Sequence, residues 1–192
     1  MTLRVLLVDD DHERAAVVEP ALRAAGYAVV AVVSTATEML EQVRLMKPDV
    51  IIIDRDSPDR DTLEHVCTIT RDDPRPVVMF TQDKDQLRMR AALEAGVSAY
   101  VVDGLAAERI QPILEVAQVR FEQWQALRQE RDQAQTNLAE RKVIERAKGI
   151  VMKQRRCNED EAYTLLRKMA MGRNQRLAQV AESVISMAEL LT

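Results

Sequence analysis

Aromatic residues are scarce in this sequence: two Phe, one Trp and three Tyr, 3% of 192 residues. So few rings exclude a broad base-stacking platform and a carbohydrate-binding surface. The only cysteines, Cys67 and Cys157, lack the spacing of a metal site, and only two histidines accompany them. Two free thiols in a reducing cytoplasm are the expectation. No apolar run approaches the roughly 20 residues that a membrane helix needs. The N-terminus passes straight into a strand-like run, so no secretory leader is expected. The C-terminal third has no His, no Gly-rich phosphate loop and no nucleophile–base pair, which argues against an enzymatic output.

What is present is enough apolar residue (47%) for a real core and enough charge (30%) for a soluble surface. The net charge of −4 hides two halves of opposite sign. Residues 1–119 hold 13 Lys/Arg against 21 Asp/Glu, and residues 120–192 hold 14 against 10. Within 141–176 the balance is 11 against 4, a candidate surface for a polyanion.

Apolar runs alternate with amphipathic stretches up to about residue 105. "RVLLVDD" (4–10), "AVVAVV" (28–33), "DVIIID" (49–54), "PVVMFT" (76–81) and "AYVVD" (99–103) read as strands buried on both faces. Between them the spacing predicts helices over 13–25, ending at Gly26, and from the Thr35/Glu38 capping box to about Lys47 before Pro48. Further helices are predicted near 60–71 and over 84–95, the latter ending at Gly96. Five strands with intervening helices give a parallel, doubly wound sheet. Ligand sites in such sheets lie at the carboxyl ends of the strands, so Asp9, Asp10, Asp54, Thr81 and Asp103 should face one crevice.

From Ala106 to about Arg155 there is almost no turn signal, which predicts one long helix. Ile110, Leu114, Ala117, Phe121 and Trp124 form an apolar stripe for packing on the sheet. A weaker continuation through Leu127, Ala134 and Leu138 suits a solvent-spanning stretch or a loose coiled coil with a second chain. Asn158 with Glu161 opens a second helix ending near Gly172, and a third runs from about Gln175 to Leu191.

Paired carboxylates on neighbouring strand ends suit a hard cation such as Mg²⁺. A further carboxylate there can attack phosphorus. With "VDD" at 8–10, "DRDSP" at 54–58, Thr81 and "YVV" at 100–102, residues 1 to about 120 resemble the receiver domain of bacterial two-component response regulators. The resemblance implies a flavodoxin-like fold and Asp54 as phosphoacceptor. It places Mg²⁺ at Asp9, Asp10 and Asp54 with the Asp56 carbonyl, and makes Thr81 and Tyr100 switch residues; no other cofactor is implied. Asp103 departs from the pattern, standing where phosphorylated receivers carry a Lys. A unit charge pair near 4 Å is worth roughly 4 kcal/mol at intermediate dielectric, and a phosphoryl group adds about −1.5 to −2 more charge. Asp103 therefore disfavours an acyl phosphate unless Lys84 or Arg55 swings in.

The basic tail resembles an ANTAR domain, a three-helix RNA-binding module of bacterial antiterminators. "AKGIVM" (147–152), "NEDEAY" with "LLRKMAM" (158–171) and "RLAQVAESVI" (176–185) carry the likeness. Its small Ala positions let short helices approach closely. Lys148, Lys153, Arg155, Arg156, Arg167, Lys168, Arg173 and Arg176 are RNA-contact candidates, with Tyr163 either a core residue or a stacking partner. A DNA-reading helix-turn-helix finds poor support in so Ala-rich a tail.

The expected organisation is a receiver-like domain over 1–119, a helical or coiled-coil linker over 120–139 and an ANTAR domain over 140–192. That order resembles NasT-type regulators of nitrate and nitrite assimilation along its whole length. The likeness implies a cytoplasmic antiterminator that binds hairpins of leader mRNA, is homodimeric when active, and is held by a NasS-type nitrate/nitrite sensor protein until ligand binds. The competing expectation is a regulator switched by phosphorylation of Asp54.

Overall fold

A computed structural model describes residues 2–103 and 107–190. Among them, β1 (Arg4–Asp9), α1 (His12–Ala24), β2 (Ala28–Val33), α2 (Ala36–Met46), β3 (Val50–Asp54), α3 (Arg60–Asp72), β4 (Val77–Thr81), α4 (Gln86–Ala95) and β5 (Ala99–Val102) alternate along the chain. Three helices follow: α5 (Ala107–Arg155), α6 (Glu159–Arg173) and α7 (Leu177–Leu190). The expected helix start at Ala106 and the apolar Leu191 lie outside the described residues. The chain divides into two compact units, Met1–Gln125 and Ala126–Thr192.

In the first unit all strand pairs are parallel and the order is β2-β1-β3-β4-β5. The central strands β1, β3 and β4 are buried almost throughout because helices cover both faces. The edge strands β2 and β5, expected to be buried alike, are only partly covered because each lacks a neighbour on one side. Val5 and Leu7 of β1 join Val18 and Leu22 of α1 and Ile110, Leu114 and Ala117 of α5. Leu6 and Val8 point the other way, to Met39 and Val43 of α2 and Val66 and Ile69 of α3. Each such Val, Leu, Ile or Met side chain contributes about 1.5–3 kcal/mol on full burial. Strand order reverses at β1, so the carboxyl ends of β1 and β3 flank the crevice. There Asp9 is paired in register with Asp54.

Local signals set the helix ends. Thr35 and Glu38 form the reciprocal capping box that opens α2. Gly96, at φ +107, closes α4 against the Thr70 side chain, where an added Cβ would collide. The second helix of the tail ends near Gly172 as expected, but the cap is a different residue. α6 runs through Gly172 to Arg173 and stops at Asn174, which takes the left-handed conformation at φ 50. Asn tolerates that conformation better than other non-Gly residues, so it supplies the cap that Gly172 was expected to give.

In the second unit the end of α5 packs with α6 and α7 around Ala147, Val151, Ala162, Leu166, Ala170, Val180, Ala181 and Ile185. Four of these are alanines, which is how short helices come close enough to exclude water. Asn158 and Glu161 form the capping box that opens α6. Cys67 and Cys157 are both free thiols. No helix among the described residues is long and apolar enough to cross a membrane.

Candidate functional site

Asp9 and Asp54 end β1 and β3, and both are buried, at 1% and 3% exposure. Asp10 and Asp56 follow them on exposed loop. These four acids converge on a residue absent from the sequence expectation, Arg14. Its Nη2 donates to Asp9 Oδ1 at 2.7 Å, to Asp10 Oδ1 at 3.2 Å and to the Asp54 backbone carbonyl at 3.2 Å. Its Nε donates to both oxygens of Asp9, at 3.1 and 3.2 Å, and lies 3.5 Å from Asp54 Oδ2. Its Nη1 donates to Asp56 Oδ1 at 3.0 Å.

The direction of this side chain is built into α1. Asp11 caps the helix by accepting from the backbone N–H of Glu13 and Arg14 at 2.9 and 3.2 Å. Those bonds hold the Asp11 carboxyl below its ordinary value. Asp9 Oδ1 also accepts from the Asp11 backbone N–H at 2.9 Å. The turn from β1 into α1 is thus tied at both ends, and the third helical residue points back over the strand ends.

Burial pushes the Asp54 carboxyl up from 3.8 to about 6. Arg14 pulls it back down, and the charges of Asp9, Asp56 and Asp10 push it up again. The guanidinium, hydrogen-bonded first of all to Asp9, is held above its ordinary value. Asp54 Oδ2 is buried without a hydrogen-bond partner. The donor set is right for a hard divalent cation, but the arrangement is not. Nη2 and Nε stand against the carboxylate oxygens that a metal would need, and among the described residues no three acidic, His or Cys side chains are grouped as a metal site.

Thr81, at the end of β4, is buried and donates its hydroxyl to the Asp56 carbonyl at 2.8 Å. The same Oγ1 accepts from the Asp83 backbone N–H at 3.1 Å. Tyr100 on β5 donates to the Asp83 carbonyl at 3.3 Å, and partial burial, then the Asp83 charge, raises its phenol. Asp103 is not among the partners of Arg14. It is exposed, sits at φ 72, and pairs with Lys84 Nζ at 3.0 Å. Arg55 turns toward Asp59, at 2.9 Å, and donates to Thr62 Oγ1 and the Ser34 carbonyl.

In the second unit Lys153, Arg155, Arg156, Arg167, Lys168, Arg173 and Arg176 are exposed. Among the described residues none of them has a carboxylate within salt-bridge distance. Tyr163 is 42% exposed on α6, which resolves its two readings against the core. Lys148 is the exception among the basic candidates. It is 7% exposed, and its Nζ bonds Glu145 at 2.8 Å and Glu159 at 2.6 Å, which raises the ammonium and lowers Glu159. Its charge is therefore satisfied within the helical unit and does not belong to the open basic surface.

Residues 5–115 match the response regulator receiver domain family, and residues 132–185 match the ANTAR domain family. The transcriptional regulatory protein PdtaR of Mycobacterium tuberculosis is 30% identical over 182 residues, covering 95% of this chain and 89% of that protein. The chain belongs to the ANTAR response regulators. The DNA-binding response regulator MtrA of the same species is 33% identical over 103 residues, 53% of this chain and 44% of that protein. Among solved structures, a two-component response regulator of the LuxR family from Aurantimonas superposes with TM-score 0.52 at 29% identity, covering 60% of this chain and 84% of that one. The receiver domain of a modulated diguanylate cyclase from Desulfovibrio desulfuricans gives TM-score 0.57 at 21% identity, covering 64% and 98%.

In this ANTAR response regulator the side chain that sequence reasoning missed is Arg14. A signal for it existed. A cation in the first turn of a helix opposes the helix dipole. An Arg at the third position of α1 therefore needs nearby anions, and "VDD" lies just upstream.

Proposed function

We propose that the chain is a cytoplasmic, RNA-binding transcription antiterminator that engages hairpins of nascent leader mRNA through its ANTAR unit. The observation that carries this is the exposure of Lys153, Arg155, Arg156, Arg167, Lys168, Arg173 and Arg176, none of them ion-paired among the described residues, together with the exposed ring of Tyr163. RNA hairpins offer phosphates and splayed loop bases, which such a surface can meet with cations and one stacking ring. Exposed Val116, Val119, Leu127 and Leu138 along α5 support an active homodimer paired through that helix. The proposed targets are leader transcripts of nitrate and nitrite assimilation genes, on the whole-length likeness to NasT-type regulators.

Control by release from a NasS-type sensor protein is the preferred regulation. Asp103 stands where a phosphate-reading cation would be, and Arg14 already fills the acid pocket. The second reading is phosphorylation of Asp54, favoured by its buried, unpartnered Oδ2. Acetyl phosphate or beryllofluoride with Mg²⁺ would then change dimerisation or RNA affinity; no change in either removes it.

The RNA reading is tested by titrating a two-hairpin leader RNA at several salt concentrations. Arg167→Ala and Arg173→Ala should each weaken binding and flatten the salt dependence by about 0.7–0.9 per lost phosphate contact. Unchanged affinity in both variants would sink the surface assignment.

A further inference from the structure

The acid pocket contains its own cation. We propose that Arg14 is the resident counter-ion of the pocket and that a divalent metal ion enters only when the guanidinium leaves.

The argument is first one of space. A Mg²⁺ or Mn²⁺ ion bonds carboxylate oxygens at about 2.0–2.2 Å and demands near-octahedral surroundings. Arg14 Nη2 already stands 2.7 Å from Asp9 Oδ1 and 3.2 Å from both Asp10 Oδ1 and the Asp54 carbonyl. An ion at bonding distance from Asp9 Oδ1 and facing Asp54 would overlap the guanidinium. The two occupants are mutually exclusive.

The second argument is one of charge and shape. Asp9, Asp10, Asp54 and Asp56 place four carboxylates around one guanidinium. That planar, permanently charged fork offers several N–H groups in fixed directions, and here they reach two side chains and a backbone carbonyl at once through Nη2 alone. The Asp11 cap fixes the backbone from which it reaches. Little reorganisation is needed to keep it there.

The third argument is what Arg14 leaves undone. Asp54 Oδ2 faces Nε at 3.5 Å without a hydrogen bond, and its side chain is only 5% exposed. A buried oxygen left unsatisfied is costly. One guanidinium thus neutralises the pocket incompletely, and the uncovered atom is the oxygen that a smaller, doubly charged ion would take up once Arg14 withdrew. The pocket has two cationic states, an internal one and an external one.

Mn²⁺ is the probe, followed by the loss of its free-ion electron paramagnetic resonance signal on titration into the full chain. Wild-type protein should bind it weakly. Arg14→Gln, which keeps a polar stem and removes the charge, should bind one Mn²⁺ at least about tenfold more tightly, the minimum expected when a unit charge a few Å from a divalent ion is withdrawn. Adding Asp54→Asn to Arg14→Gln should abolish the gain. Equal affinity in wild type and Arg14→Gln overturns the proposal, as does a gain that survives Asp54→Asn. If Arg14→Gln fails to fold, the wild type decides alone: tight one-site binding refutes a pocket closed by Arg14, and weak binding is the expected result.

Discussion

Replacing Asp54 with Asn should stabilise this protein at neutral pH, and the gain should vanish in acid. Asp54 is 3% exposed, and its carboxyl is pushed from 3.8 to about 6, mainly by burial. That displacement corresponds to roughly 3 kcal/mol between the two protonation states. The raised value means that the native protein holds a proton which the unfolded chain has already released. The contribution of this group to stability is complete below pH 3.8 and is lost as pH rises through about 6. Above that, ionised Asp54 opposes folding even though Arg14 attracts it. Asn keeps the shape and removes the charge, but its amide must also be desolvated. A gain of about 1–3 kcal/mol at pH 7.5 is therefore expected. Trp124 is the only Trp and lies in the first unit, beside Phe121 with ring centroids 6.0 Å apart, so its fluorescence reports unfolding of that unit. Urea titrations of wild type and Asp54→Asn at neutral and acid pH measure the difference. A variant less stable than wild type at neutral pH would show that attraction to Arg14 outweighs burial. A gain independent of pH would show that the charge is not its source.

The second unit offers two further tests. Leu166 is fully buried among alanines, and Leu166→Ala should cost about 2–5 kcal/mol, read as a lowered melting transition by far-UV circular dichroism. The control Met171→Ala, at an exposed position of α6, should stay within about 0.5 kcal/mol of wild type. Lys148→Met should lower the same transition, because Glu145 and Glu159 lose their shared ammonium, while RNA affinity of the folded protein stays at its wild-type value. A variant that melts normally but binds RNA poorly would return Lys148 to the RNA surface.

Most of the fold was legible because its signals are local. Continuous apolar runs mark strands covered on both faces, and Thr35/Glu38 and Asn158/Glu161 satisfy free N–H groups within one turn. The helix end at Asn174 was harder to see, because Gly172 offers the stronger generic signal two residues earlier. Tyr163 follows buried Ala162, and one residue is a large rotation about a helix, so its ring emerges into solvent.

The sequence by itself determined the alternation of elements, the three-helix end module, and the placing of acids at strand ends, since each follows from periodicity or capping within a few residues. Tertiary structure alone decided what those acids meet. Arg14 reaches Asp54 and Asp56 across 40 and 42 residues of chain, because β3 lies beside β1 and the Asp11 cap turns α1 back over both. Lys148 is likewise drawn out of the basic surface by Glu159, which follows the turn at the end of α5. Charge composition counts both cations as free. Only the fold places carboxylates within hydrogen-bond reach, and electrostatic energy depends on that distance.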